Sequence, residues 1–489
     1  MYTRTETDSA LCRAPDQYRR MFTLDPNSST PLIAQIVEGV QQQILAGELR
    51  AGTKLASIRQ FAHAHAVSVF TVVEAYDRLV AQGWVVSRPN SGFFVRRRVG
   101  NDSVAPTSEA MGTGTGFDSM WYLRKIFENR HLSMKPGCGW LPGDWLFEDG
   151  LKRSLRALAA ETGERMDLGG YGDPKGYLPL RQWVQASLAE QEIGIAPEQV
   201  LLTQGSSQGL DLAARCLLRP GDAVLVDDPG YANLLFSLRH LGACLIGVPR
   251  TPQGYDLAAL ERLIILHRPK VFFTQPRLQS PIGASASLAH LHRVLQLADK
   301  HELTIVENDI YADLDPEPRP SLASLDQLQR VIHISSFSKT VSPNLRVGYL
   351  VAHPDMVEDL AQLKMIAGLT SSEFAERLTH GALIDGRWRK HLKALRERLA
   401  RAHEQVGEQL RALGFELFNE PKAGMFLWAR HAALLDASEV SHRAAASDIM
   451  LGPGHLFSAE LKSSAWMRFN VAFSGDERLM QFLKQATSA

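Results

Sequence analysis

The chain has 489 residues, 45% of them hydrophobic, which is enough apolar material for more than one core. Its 53 Lys and Arg balance 53 Asp and Glu, which excludes a uniformly basic or acidic molecule, so any nucleic-acid surface has to be local. Cys12, Cys138, Cys216 and Cys244 are far apart, with no C-x-x-C pair and no nearby His at ligand spacing; this argues against a metal site or a disulfide framework, and no stretch is long and apolar enough for a bilayer span, so a soluble cytoplasmic protein is expected.

Residues 1–29 read as an N-terminal tail. Ile33, Ile36, Val37, Val40, Ile44 and Leu45 then recur at helical spacing and stop at Gly47. Ser57 can cap a second helix, Ile58 to Ala64, and Ser68 a third, Val69 to Ala81, whose Val72, Val73, Tyr76, Leu79 and Val80 form one stripe ending at Gly83. Trp84 to Val86 and Phe93 to Val95 read as short strands joined through Ser87 to Gly92, where Pro89 and Gly92 suit a hairpin loop. Three helices and a hairpin predict a winged helix-turn-helix over 30–98. Between Pro31 and Arg98, Arg50, Lys54, Arg59, Arg78, Arg88, Arg96, Arg97 and Arg98 outweigh Glu38, Glu48, Glu74 and Asp77, which suits a phosphate-rich partner. The run Arg96 to Arg98 is read either as a direct DNA contact or as a solvated edge of the domain.

The strings SIRQFA (Ser57 to Ala62), TVVEAYDRLVAQGW (Thr71 to Trp84) and RPNSGFFV resemble the winged-helix module of the GntR family. The resemblance implies double-stranded DNA as a partner, with Ser68, Val69, Phe70 and Thr71 near base edges and Arg59, Arg88 and Ser91 at phosphate or the minor groove. Val69 stands where that family usually carries Arg, and Ala56 where it usually carries Pro.

Residues 99–118, rich in Ser, Thr, Gly and Ala, read as a flexible linker. From 119 to 489 apolar strand candidates (Ala223 to Val226, Val271 to Thr274, Thr304 to Val306, Val331 to Ile334) are spaced by helical stretches, which predicts an α/β domain with a smaller α+β lobe over about 391–489.

The chemistry concentrates in Ser336-Phe337-Ser338-Lys339 and Arg346: the Lys can form a Schiff base, while a hydroxyl and a forked guanidinium can hold a phosphate. Gly205-Ser206-Ser207-Gln208, between a strand and an amphipathic helix, is either an anion site at a helix N-terminus or a plain cap. Together these motifs resemble the cofactor site of fold-type I pyridoxal 5'-phosphate (PLP) transferases. The resemblance implies PLP as an internal aldimine on Lys339. Its phosphate would lie near Gly205, Ser206, Ser207, Ser336, Ser338 and Arg346, its ring against Tyr231, and Tyr311 at its phenolate oxygen. Tyr231 can also be read as a core residue and Arg468 as a surface ion pair; by resemblance Arg468 grips an effector α-carboxylate, and Tyr171 reaches the phosphate of a neighbouring subunit, which requires a homodimer.

Two positions depart from the aminotransferase pattern: Asn308 replaces the Asp that keeps the pyridine nitrogen protonated, and Ser280 replaces an Asn at the phenolate oxygen. Cofactor binding retained with turnover reduced is therefore expected. A GntR-like module joined to an aminotransferase-like domain resembles the MocR subfamily of bacterial regulators. This implies a transcriptional regulator that senses an amine or amino acid by aldimine exchange at Lys339. The alternatives are an α-amino acid aminotransferase and a DNA-binding dimer whose large domain no longer holds cofactor.

Overall fold

The structure, a computed structural model, describes residues 23–89, 91–96, 134–160, 170–317 and 319–488. They fall into two compact units, 23–96 in one and 134–488 in the other. The expected linker at 99–118, and Arg97 and Arg98, lie outside the described residues, as does most of the expected tail.

The first unit comprises α1 (Leu32–Leu45), α2 (Ile58–Ala64), α3 (Val69–Ala81), β1 (Val85–Arg88) and β2 (Gly92–Val95). Local capping sets these boundaries. Ser57 and Gln60 form a reciprocal capping box at α2, and the Ser68 hydroxyl accepts from the Thr71 N–H at α3. Gly83, at φ +74°, turns the chain out of α3 in a conformation that a Cβ would strain. The apolar stripes of the three helices meet in one core of Ile36, Val40, Phe61, Val72, Tyr76 and Leu79, and the buried Tyr76 hydroxyl donates to Ala56 O at 3.1 Å. The hairpin is antiparallel, Val85 opposite Val95 and Arg88 opposite Gly92. Its first strand starts one residue later than expected and runs on to Arg88, because the Trp84 N–H still bonds back to Leu79 O.

In the second unit the strands are β3 (Val200–Thr203), β4 (Ala223–Asp228), β5 (Cys244–Thr251), β6 (Gly254–Tyr255), β7 (Val271–Thr274), β8 (Thr304–Asn308), β9 (Val331–Ser336) and β10 (Gly348–Val351). They form one eight-stranded sheet in the order β3-β10-β9-β8-β7-β4-β5-β6. The run β9-β8-β7-β4-β5 is parallel, and β10 is antiparallel to both β9 and β3. Helices cover both faces, which is why β3, β7 and β10 are buried along their whole length. The C-terminal ends of β8 and β9 deliver Asn308 and Ser336 to the same edge of the sheet, where ligand sites of open α/β folds gather.

A second sheet, β11 (Glu416–Leu417), β12 (Phe426–Arg430), β13 (Gly452–Pro453) and β14 (Trp466–Asn470), has the order β11-β12-β14-β13 and forms the smaller lobe. That lobe also takes in a segment far upstream of 391. Met134 pairs with Ile449, the Gly137 N–H donates to Met450 O (2.7 Å), and the Asn470 N–H donates to Pro136 O (2.6 Å). Pairing across more than 300 residues leaves no local periodicity to read.

The 25-residue helix Trp388–Ala412 backs this lobe and buries His403, whose Nε2 lies 3.1 Å from Gly424 O. Burial pushes the His403 pKa down to about 4 from its ordinary 6.5, against the smaller opposing effect of its backbone hydrogen bonds. The folded ring therefore stays neutral while the unfolded ring takes up a proton below pH 6.5, so stability falls as the pH drops from about 6.5 and keeps falling to about 4. The full effect is on the order of 3 kcal/mol. His403→Gln, which does not titrate, is expected to lose less of its urea midpoint between pH 7 and pH 5 than the wild type; an equal loss would exclude His403 as the group responsible.

Candidate functional site

Lys339 closes a single 3-10 turn (Phe337–Lys339) directly after β9, and Ser336 caps that turn by accepting from the Ser338 N–H. Its Nζ donates to Gly139 O at 2.5 Å. Arg468, on β14, donates through Nη2 to Gly137 O (2.6 Å) and through Nη1 to Ser280 Oγ (3.1 Å). The rings of Phe426 and Phe457 each lie 4.6 Å from the Arg468 guanidinium carbon. One short segment, Gly137–Gly139, thus supplies a carbonyl to each of the two cations. Burial, then the nearby Arg468 charge, with Arg346 adding to it, brings Lys339 down to about pKa 8, so its free amine is available near neutral pH. Cys138 lies between the two contacts, and burial pushes its thiol up to about 11, so it stays neutral. Asn470 Nδ2 holds the other side of the segment through Cys138 O (3.2 Å) and Trp140 O (2.7 Å).

A second group of residues is suited to an anion. Gly205, at φ +75°, opens the helix Ser206–Leu217, and no side chain caps that helix. A Cβ on Gly205 would stand 2.5 Å from Arg346 Nη2, so the guanidinium packs against the bare backbone and donates onward to Gln204 O at 3.1 Å. Ser206 is buried and Ser207 exposed, and Ser336 Oγ lies 2.9 Å from Ser338 Oγ. Tyr311 is buried with its ring 5.9 Å from Lys339 Nζ, and the half-buried Tyr231 interacts electrostatically with Tyr311.

Asn308 is 2% exposed, and neither its Oδ1 nor its Nδ2 has a hydrogen-bond partner. A buried amide left in that state is costly unless a ligand completes it. The neighbouring Asp309 does not take its place: its carboxylate faces Arg277 at 3.4 Å, and its backbone bonds to Ile334 and Ser335. An uncapped helix start with an Arg and two Ser, an enclosed amine and an orphaned amide together fit a planar phosphorylated aldehyde such as PLP.

The structure therefore brings Lys339, Arg468, Ser280, Tyr311, Tyr231, Arg346 and Gly205 into one region, while Tyr171 stands apart from them, 82% exposed. Sequence reading missed Gly137–Gly139, Asn470 and the ring pair Phe426 and Phe457. The doubled glycine around Cys138 was the available signal, but the carbonyl it supplies meets a lysine 200 residues away. In the first unit Arg59, Ser68, Val69, Phe70, Arg88 and Ser91 are exposed and Thr71 is half-buried, and the Arg88 guanidinium stacks 4.7 Å from the Phe94 ring on the hairpin. Among the described residues no group of His, Cys, Asp and Glu could hold a metal, and no helix is long and apolar enough to cross a membrane.

Residues 139–485 match the family described as aminotransferase class I and II, and residues 32–95 match the bacterial regulatory proteins of the gntR family. Along its length the chain is 29% identical to an uncharacterised HTH-type transcriptional regulator, YdcR, of Escherichia coli (strain K12), covering 92% of this chain and 97% of that one. It is also 29% identical to the probable rhizopine catabolism regulatory protein MocR of Rhizobium meliloti, covering 87% and 86%. Among solved structures it is similar to LysN, an α-aminoadipate aminotransferase of Thermus thermophilus complexed with N-(5'-phosphopyridoxyl)-L-leucine, at 27% identity and a TM-score of 0.69 over 76% of this chain and 97% of that one. The chain belongs to the class I and II aminotransferase family and, through the GntR-type winged helix at its N-terminus, to the MocR subfamily of GntR-type transcriptional regulators.

Proposed function

We propose that the protein is a PLP-dependent sensor of an amine or amino acid that couples occupancy of the Lys339 site to binding of double-stranded DNA. The observation that carries this reading is the sharing of one segment, Gly137–Gly139, by Lys339 and Arg468. PLP, when bound, supplies an aldehyde carbon that condenses with amines. Lys339 is the residue that would hold it, and its lowered pKa makes part of the amine unprotonated near neutral pH. Gly205, Ser206, Ser207, Ser336, Ser338 and Arg346 would hold the phosphate, Tyr231 and Tyr311 the ring and its phenolate oxygen, and the orphaned Asn308 amide the ring nitrogen. Arg468 takes the effector carboxylate.

With cofactor held by Lys339 the Gly139 O contact would be exchanged, and with a carboxylate at Arg468 the Gly137 O contact would be exchanged. Each exchange would give the segment different contacts in the two states, and such a difference is what coupling requires. Asn308 offers the ring nitrogen an ordinary hydrogen bond rather than a carboxylate, which weakens the electron sink and favours sensing over turnover. The exposed Tyr171 reaches the phosphate of a second copy in a homodimer.

Purified protein with PLP is expected to show a visible absorption band that borohydride fixes covalently and that Lys339→Ala lacks. Amino acids should shift that band with slow or no conversion of the cofactor to its amine form; rapid conversion would make the protein an aminotransferase instead, and no band in the wild type would overturn the cofactor reading. The rate of band formation at fixed PLP should rise with pH through about 8 and then level, as Lys339 loses its proton. In Arg468→Met the midpoint should move upward, because a charge that disfavours the protonated lysine is gone; an unmoved midpoint would contradict this electrostatic account. On mixed-sequence duplex DNA, Arg88→Ala should weaken binding uniformly and lower the slope of log affinity against log salt by about one. An unchanged slope would remove Arg88 from the phosphate contacts.

A further inference from the structure

Two strongly exposed apolar side chains of the first unit are neighbours in the chain. Val69 and Phe70 are the first two residues of α3 and are 50% and 76% exposed. The opposite face of the same helix buries Val72, Ala75, Tyr76 and Leu79, so the module's own core makes no use of Val69 and Phe70. The polar groups beside them are already committed to each other: Ser68 Oγ accepts from the Thr71 N–H at 3.0 Å and lies 2.7 Å from Thr71 Oγ1. What the helix tip presents beside this bonded pair is a methyl-bearing Val and a phenyl ring, neither of which can donate or accept a hydrogen bond.

The charges carried by the same unit indicate the kind of surface that covers this tip. Arg59 on α2, Lys54 before it and Arg88 on the hairpin are all exposed, and the first turn of α3 holds no acidic residue. The positive end of the helix dipole adds to the same field. An anionic partner with an apolar group at its surface satisfies both features. In the major groove each base edge offers hydrogen-bonding groups that Val and Phe cannot use, and the thymine 5-methyl is the apolar group among them.

We propose that Val69 and Phe70 read thymine 5-methyl groups, so that the helix tip selects sequence by apolar contact rather than by hydrogen bonds to guanine or adenine. This rests on the winged helix binding duplex DNA and specifies what it recognises there. Burying a methyl group against Phe70 contributes through removal of apolar surface from water, about fourfold in affinity for each methyl. The basic residues of the unit add affinity without telling thymine from other bases.

The test uses the full chain and duplexes recovered by it from a random-sequence library, resynthesised with single thymines replaced by deoxyuridine, which differs by the 5-methyl alone. The wild type is expected to lose about fourfold at each thymine under the helix tip. Phe70→Ala should bind the thymine and uracil duplexes alike, at close to the wild-type affinity for uracil, while Phe70→Leu should keep part of the difference. Arg88→Ala should weaken both duplexes and preserve their ratio. Equal wild-type affinity for thymine and uracil at every position would overturn the proposal, as would a difference that survives in both Phe70→Ala and Val69→Ala. Failure of the wild type to recover any duplex would instead overturn the DNA-binding reading on which it rests.

Discussion

Two cations placed close together away from water constrain the rest of the cofactor region. Burial first, and then the charge that Arg468 cannot shed, hold Lys339 near a pKa of 8. The stabilisation comes from dipoles and ring faces. Gly137 O and Gly139 O accept from the two cations, while Cys138 O and Trp140 O accept from Asn470, so the carbonyls of this turn are divided between the cations and the smaller lobe. Phe426 and Phe457 occupy the two ring contacts of the guanidinium. Glycine at 137 is a steric requirement, since a Cβ there would lie 2.4 Å from the backbone of Leu451 and Gly452. The segment that solvates the cations is thus also the one that docks on the smaller lobe.

The opposite wall is anchored in the large sheet. Ser280, which meets Arg468, has its backbone N–H bound by Gln275 Oε1, and the Gln275 N–H donates to Asp227. Asp227 in turn accepts from Arg250 and Thr274. This buried chain fixes one side of the region to β4 and β7. The Gly137–Gly139 side is held by Met450 and Asn470 of the smaller lobe and, in addition, by contacts that the two cations make. Of the two walls, the second is the one whose bonds a bound ligand would replace.

Where local chemistry decides structure, the sequence was readable. The limits of α2 and α3 follow from Ser57 and Ser68, and the bounds of β7 follow from a short apolar run between breakers. Lys339, Gly205 and Arg346 were legible for a related reason: each belongs to a motif a few residues long whose parts stay near one another after folding. The strands that ended later than expected, β4, β8 and β9, end in Asp227 and Asp228, Asn308, and Ser335 and Ser336. Polar residues at strand ends read as loop, yet here they continue the ladder because they carry the site. The Gly137–Gly139 segment and the Phe426 and Phe457 pair were not legible at all, since each acquires its role from a partner chosen by tertiary packing.

The energetics of the segment match the task assigned to it. Hydrogen bonds to charged groups contribute roughly 1.5 to 3 kcal/mol each, and allosteric coupling energies are typically about 1 to 3 kcal/mol. Exchange of one or both of the Gly137 and Gly139 contacts for contacts to ligand therefore lies on the scale that regulation needs, without any large rearrangement of the sheet. The two contacts are also separable: one answers to an amine at Lys339 and the other to a carboxylate at Arg468. An amine without a carboxylate would disturb one end of the segment, and an amino acid both. On the reading proposed for this protein, the chemistry of the effector is therefore already sorted at this one segment.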